Sequence, residues 1–135
     1  AFGIQEIILC GITPVPPHRE IHRTALGATE TVTWSYAPKT LDAIKKLKSA
    51  GYTIYALEQA EKTILLQHLK KSVDSRIALV FGNEVNGVNQ EVIDHCDGVL
   101  EIPQFGTKHS LNVSVCVGVV LWECATLMNP ALKAD

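Results

Sequence analysis

Ile77-Ala78-Leu79-Val80-Phe81-Gly82-Asn83-Glu84-Val85-Asn86-Gly87 is an unbroken apolar run of strand length that stops in a loop bounded by glycines. The run does not alternate polar with apolar residues, which is the pattern of a strand covered on both faces. Similar runs recur on either side, at Glu6–Cys10, Thr31–Tyr36, Thr53–Leu57 and Val99–Ile102. Helical patterns fall between them, at Glu20–Leu26, Lys39–Ala50, Lys62–Lys71 and Gln90–Cys96. In the second of these Thr40 can cap, Leu41, Ile44 and Leu47 share a face, and Gly51 ends the helix. Strand and helix in alternation predict an α/β fold with a mostly parallel sheet flanked by helices. With no repeat and no linker, the 135 residues are expected to form one domain.

Composition excludes several classes. At 47% hydrophobic and 19% charged residues, the chain has too much apolar surface to remain disordered. Twelve Lys and Arg against fourteen Asp and Glu give a net charge of −2, so bulk charge does not drive nucleic-acid binding. Cys10, Cys96, Cys116 and Cys124 lie in apolar surroundings without a CxxC pair, which predicts buried thiols and a cytoplasmic, reducing setting. Leu111–Met128 is the most apolar stretch, but Asn112, Ser114 and Glu123 interrupt it, which predicts a buried helix and no membrane span.

In parallel α/β sheets, ligands bind where loops gather at the carboxyl ends of the strands. The loops after Leu57, Phe81 and Ile102 are the candidates. Gly82–Gly87 lacks the Gly-Lys-Ser/Thr ending of a triphosphate loop. His18 and His22 stand four apart, but Arg19 occupies the position of a zincin's glutamate, and no metal site is expected. Spacing alone leaves Ser110 as a helix cap and Asn112 as a partner for loop carbonyls.

Taken together, Phe81-Gly82-Asn83-Glu84-Val85-Asn86-Gly87-Val88, Ile102-Pro103, Gly106 and Ser110-Leu111-Asn112-Val113-Ser114 resemble motifs two and three of the SpoU (TrmH) family. This family belongs to the SPOUT superfamily of RNA methyltransferases. Less sharply, Cys10–Pro14 and Ala25–Ala28 also resemble it. The resemblance implies a deep carboxyl-terminal trefoil knot, which general chain topology would never suggest. It implies S-adenosylmethionine as cofactor, contacted by Gly82, Ile102 and Leu111, with Leu57, Asn83, Pro103 and Val113 completing the pocket. Methyl transfer to a ribose 2′-hydroxyl of tRNA or rRNA is the implied reaction, with Glu84, Ser110 and Asn112 as polar active-site residues and no metal. Arg19, Arg23, Lys108 and His109 are the expected phosphate contacts. A homodimer through the last helix is implied as well, with Gly118 allowing close approach.

Ala1-Phe2-Gly3 resembles the tail of motif one. The first strand and the motif-one asparagine and arginine are therefore expected upstream, in a longer protein. Arg23-Thr24-Ala25 imitates the missing tripeptide but lies after the Pro-rich loop, so Arg23 is not read as catalytic. Two competing readings are a catalytically silent knotted RNA-binding or assembly module and a small-nucleotide-binding α/β protein.

Overall fold

A computed structural model describes residues 1–70, 76–107 and 110–133. The chain divides into two compact units, Ala1–Lys46 and Leu47–Asp135. In the first, β1 (Ile7–Cys10) pairs in parallel with β2 (Trp34–Ala37), Ile7 opposite Trp34 and Cys10 opposite Ala37. The crossover carries α1 (Arg19–Ala25) and a short α2 (Ala28–Thr31). The strand expected over Thr31–Tyr36 therefore starts later. Gly27, at φ +84°, launches α2, and the Val32 amide closes that turn on the Ala28 carbonyl at 2.9 Å. Thr31 and Val32 are committed to the helix end before pairing begins.

The unit boundary falls within α3 (Thr40–Ser49), whose Ala43 and Ile44 are buried and whose Lys45, Lys46 and Lys48 are exposed. Thr40 is its first helical residue, one position inside the expected cap. Gly51 ends the helix region at φ +83°, its amide donating to the Lys48 carbonyl at 2.9 Å.

The second unit holds β3 (Tyr52–Leu57), β4 (Ile64–Leu65), β5 (Arg76–Phe81) and β6 (Gly98–Glu101), all parallel, in the order β4-β6-β3-β5. Helices α4 (Gln90–His95) and α5 (Val113–Met128) follow β5 and β6. The α/β class and parallel pairing are as expected, with the hydrogen bonds falling into two sheets, one per unit.

The helix expected over Lys62–Lys71 does not form. Ile64 and Leu65 pair with Leu100 and Glu101 as an edge strand, and Leu66–His68 makes a single 3₁₀ turn. Leu66 and Leu69 are buried with Leu57, Leu100 and Val120, so tertiary pairing overrides the apolar spacing that imitates a helix. Lys71 lies outside the described residues.

Helix α5 covers this core through Cys116, Val120, Cys124 and Leu127. It starts at Val113 rather than Leu111, and it is not buried all round. Val115, Val119 and Trp122, spaced by four and three residues, form an exposed apolar stripe, with Trp122 49% exposed. Among the described residues, no helix is long and apolar enough to cross a membrane. The four cysteines are free and half-buried rather than fully buried. Burial pushes each thiol above its ordinary range, which disfavours the thiolate.

Candidate active site

Register decides what meets at the carboxyl end of the second sheet. Leu57, the last residue of β3, pairs with Phe81 on one side and Leu100 on the other. Because all three strands are parallel, the chain leaves them on the same edge, and the Glu58, Gly82 and Ile102 loops emerge side by side. Leu57 is buried, while Gly82, Ile102 and Pro103 are half-buried beside it in the sequence of their strands. The Glu58 amide donates to the Leu100 carbonyl at 3.2 Å, extending the β3–β6 ladder by one step.

The motif-two segment is a tight turn locked on itself. Asn83 and Gly87 exchange backbone hydrogen bonds, Asn83 N–H to Gly87 O at 3.2 Å and Gly87 N–H to Asn83 O at 2.8 Å. The Asn83 side-chain oxygen also accepts from the Val85 amide at 2.8 Å and the Asn86 amide at 3.2 Å, an Asx-type turn. The side-chain oxygen of Asn83, a residue expected in the cofactor pocket, is thus engaged inside the turn. Glu84 and Val85 are left exposed at its tip. A Cβ on Gly82 would overlap the backbone of Gly87 and Val88. Glycine is thus needed at 82 for the two limbs of the turn to approach, whether or not a ligand is present.

Glu58 faces the same turn. Its Oε2 accepts from the Val88 amide at 3.0 Å, and its Oε1 accepts from the Gln59 amide at 3.0 Å. Burial, and secondarily the Glu58 charge, push the thiol of Cys116, one turn into α5, above its ordinary range. The loop after Leu57 is a candidate in the sequence, but no role for Glu58 is assigned there. The available signal was a lone carboxylate directly after a strand buried on both sides.

The motif-three segment enters α5 through Asn112, which occupies the cap position, not Ser110. The Asn112 carbonyl accepts the Cys116 amide at 2.9 Å, but its side chain makes no cap hydrogen bond. Ser110, Leu111 and Asn112 are exposed and Val113 is half-buried. This places two polar side chains, Ser110 and Asn112, at the start of a helix whose next turn packs on Leu57 and Leu100.

Of the expected phosphate contacts, Arg19 and Arg23 are exposed on α1 in the first unit. Arg23 donates to the Glu20 carboxylate at 2.7 Å, a surface pair that offsets part of its charge. Lys108 and His109 lie outside the described residues. His18 precedes α1 as its cap residue and His22 lies within it. Among the described residues, no group of three or more His, Cys, Asp or Glu side chains could hold a metal ion. An open cleft of about 670 Å³ lies between Glu58–Glu61 and Val85–Val88, reaching Gln90 and Ile93 of α4. It borders the motif-two turn but is lined by none of the residues expected to hold the cofactor.

Known proteins agree with this architecture. The chain is 33% identical over 97 residues to the tRNA (guanosine(18)-2′-O)-methyltransferase of Borreliella burgdorferi, covering 72% of this chain and 44% of that protein. It is 30% identical over 123 residues to a 23S rRNA (guanosine-2′-O-)-methyltransferase of Neisseria meningitidis, covering 91% of this chain and 48% of that one. The chain thus spans about half the length of these curated relatives. The crystal structure of an AdoMet-bound rRNA methyltransferase from Sinorhizobium meliloti superposes with a TM-score of 0.85 at 29% identity, over 95% of this chain and 48% of that one. The sequence profile described as the SpoU rRNA Methylase family matches residues 1–122, and the chain belongs to that family.

Proposed function

We propose that this chain is the catalytic domain of an S-adenosylmethionine-dependent enzyme that methylates a ribose 2′-hydroxyl in tRNA or rRNA. The observation that carries the reading is that the motif-two turn and Ile102-Pro103 leave the same edge of one parallel sheet, with α5, entered through Ser110–Asn112, packed on its Leu57 and Leu100. The residues there fit the cofactor by type. Leu57, Ile102, Pro103, Leu111 and Val113 offer apolar cover for an adenine, and the backbone of Gly82 offers polar groups for its edge. The relatives' printed activities and the AdoMet-bound neighbour support the same choice.

When bound, S-adenosylmethionine supplies an electrophilic methyl group on a sulfonium, which needs no metal activation. The work left to the chain is orientation and management of one proton. Asn112, its side chain not spent on capping, can hold the ribose through paired donor and acceptor groups. The Ser110 hydroxyl can give or accept a hydrogen bond beside it, and the exposed Glu84 carboxylate can accept one from the substrate.

The proposal includes the trefoil knot of the family in the carboxyl-terminal segment and one catalytic domain built from both compact units. It also includes a homodimer through α5, supported by the exposed Val115, Val119 and Trp122 stripe on an otherwise apolar helix. Calorimetric titration of S-adenosylmethionine and S-adenosylhomocysteine into the full-length protein tests it. Micromolar binding at one site per subunit, lost in Leu111→Asp, is expected. A folded protein that binds neither would overturn the catalytic reading in favour of a silent RNA-binding module.

A further inference from the structure

We propose that Glu58 is a positioning residue that clamps the motif-two turn to the end of β3 and so sets cofactor affinity. The inference rests on the cofactor reading above for its functional consequence, but its geometry stands separately. The Glu58 backbone is fixed to one neighbouring strand, through its amide on the Leu100 carbonyl at 3.2 Å. Its side chain turns to the other neighbour, where Oε2 takes the Val88 amide at 3.0 Å. Oε1 takes the Gln59 amide at 3.0 Å, so both carboxylate oxygens accept from backbone and the group is held at two points.

The turn is shaped to receive this carboxylate. Gly87 has φ +63°, and a Cβ built there would overlap Glu58 Oε2. Glycine at 87 therefore answers two demands, the left-handed backbone and the close approach of the acid. Asn83 fixes the internal shape of the turn, while Glu58 fixes where the turn stands relative to the sheet. Loss of the clamp would free the turn to shift against the end of β3, carrying the Gly82 backbone with it, without unfolding the core, which is built from Leu57, Leu100 and Val120.

The test uses the full-length protein with Glu58→Ala, Glu58→Gln, Gly87→Ala and the Glu58→Ala/Gly87→Ala double variant. Three quantities are read: S-adenosylhomocysteine affinity by calorimetry, the thermal unfolding midpoint, and hydrogen exchange of the Val88 amide by NMR. In Glu58→Ala, affinity should fall about tenfold and Val88 exchange should quicken, with the midpoint within about 3 °C of the parent. Glu58→Gln keeps an acceptor for Val88 and should recover most of the affinity. Gly87→Ala should be worse alone than is explained by backbone strain, and removing the Glu58 side chain should relieve part of its defect. Parent-like affinity in Glu58→Ala, or equal loss in the Ala and Gln variants, would overturn the proposal. If the parent itself binds no S-adenosylhomocysteine, the cofactor reading fails, and unchanged Val88 exchange in Glu58→Ala then refutes the clamp on its own.

Discussion

In the turn from Asn83 to Gly87 the chain spends its polar groups on itself: two backbone bonds close it, and the Asn83 carboxamide fastens two more amides. From Pro103 to Asn112 the described residues are built the other way. Phe105 is 95% exposed, and Asn112 holds the cap position of α5 without using its side chain to cap. The two segments leave the same edge of one sheet, on either side of β3, yet the first is a wall closed on itself and the second presents polar side chains outward. Under the proposed function, the contrast would divide the family's signature into residues that shape the pocket and residues that meet the substrate, and variants can attack that division directly.

Asn112→Ala should have the largest effect and fall on turnover alone. Removing a group that orients the ribose is expected to cut methyl transfer by about 10²–10³-fold. Since no cap bond is lost, unfolding free energy should drop by less than about 0.5 kcal/mol, below the usual range for a working cap. Single-turnover methylation of the RNA substrate, set beside urea unfolding, reads both. Parent-like turnover would remove Asn112 from the active site, and a stability loss near 2 kcal/mol would mean it is merely structural.

Gly82→Val should show the reverse signature. Its side chain would run into the backbone of Gly87 and Val88, so the turn must open. A cost of about 2–3 kcal/mol, within the range for overpacking a fitted site, is expected in urea unfolding, with cofactor affinity falling alongside. Lost affinity at unchanged stability would instead mean that Gly82 faces the ligand, and the wall would belong to the binding surface. Asn83→Ala is a milder blow to the same turn. Its two side-chain bonds are exposed, and their loss should cost about 1–2 kcal/mol, measured the same way.

How far this division was legible in the sequence follows from what each residue depends on. The strands β3, β5 and β6 were visible to within a residue, because mostly apolar runs of four or five residues bounded by glycine, proline or charge have few alternatives. Ile64 and Leu65 were not, because a two-residue edge strand exists only through its pairing with Leu100 and Glu101. The four-residue α2 is too short for any periodicity to register. In the site, Gly82, Glu84, Ser110 and Asn112 came into view through their joint resemblance to a family, not through spacing. The inward use of Asn83 and the reach of Glu58 to Val88 depend on register between strands, and a linear pattern carries no register.

The smallest expected effect supplies the control for the comparison, at the opposite end of β6. Asp97, just before β6, accepts the Ile54 amide through Oδ2 at 2.8 Å, while its own amide donates to the Ile54 carbonyl at 2.8 Å. Its Oδ1 lies 3.0 Å from Lys48 Nζ, both side chains being more than a third exposed. The Ile54 hydrogen bond, aided by Lys48 and opposed by slight burial, holds the carboxyl below the usual carboxylate range. A depressed folded-state value means the stabilisation is complete above the unfolded value, near about 4, and drains away as pH falls through the folded one. Asp97→Asn keeps an acceptor for Ile54 but cannot titrate. It should therefore cost only about 1 kcal/mol at neutral pH, and the gap from the parent should close as the solution is acidified below about pH 4. Urea unfolding across that range measures it. Here too a carboxylate takes a backbone amide from an adjacent segment, as Glu58 does at the other end of the sheet, but no part of the proposed pocket hangs on it. Cofactor affinity in Asp97→Asn should match the parent. A loss of affinity comparable to that of a motif-two variant would show that any loosening of β3 against β6 reaches the pocket, and the separation of wall from scaffold would collapse.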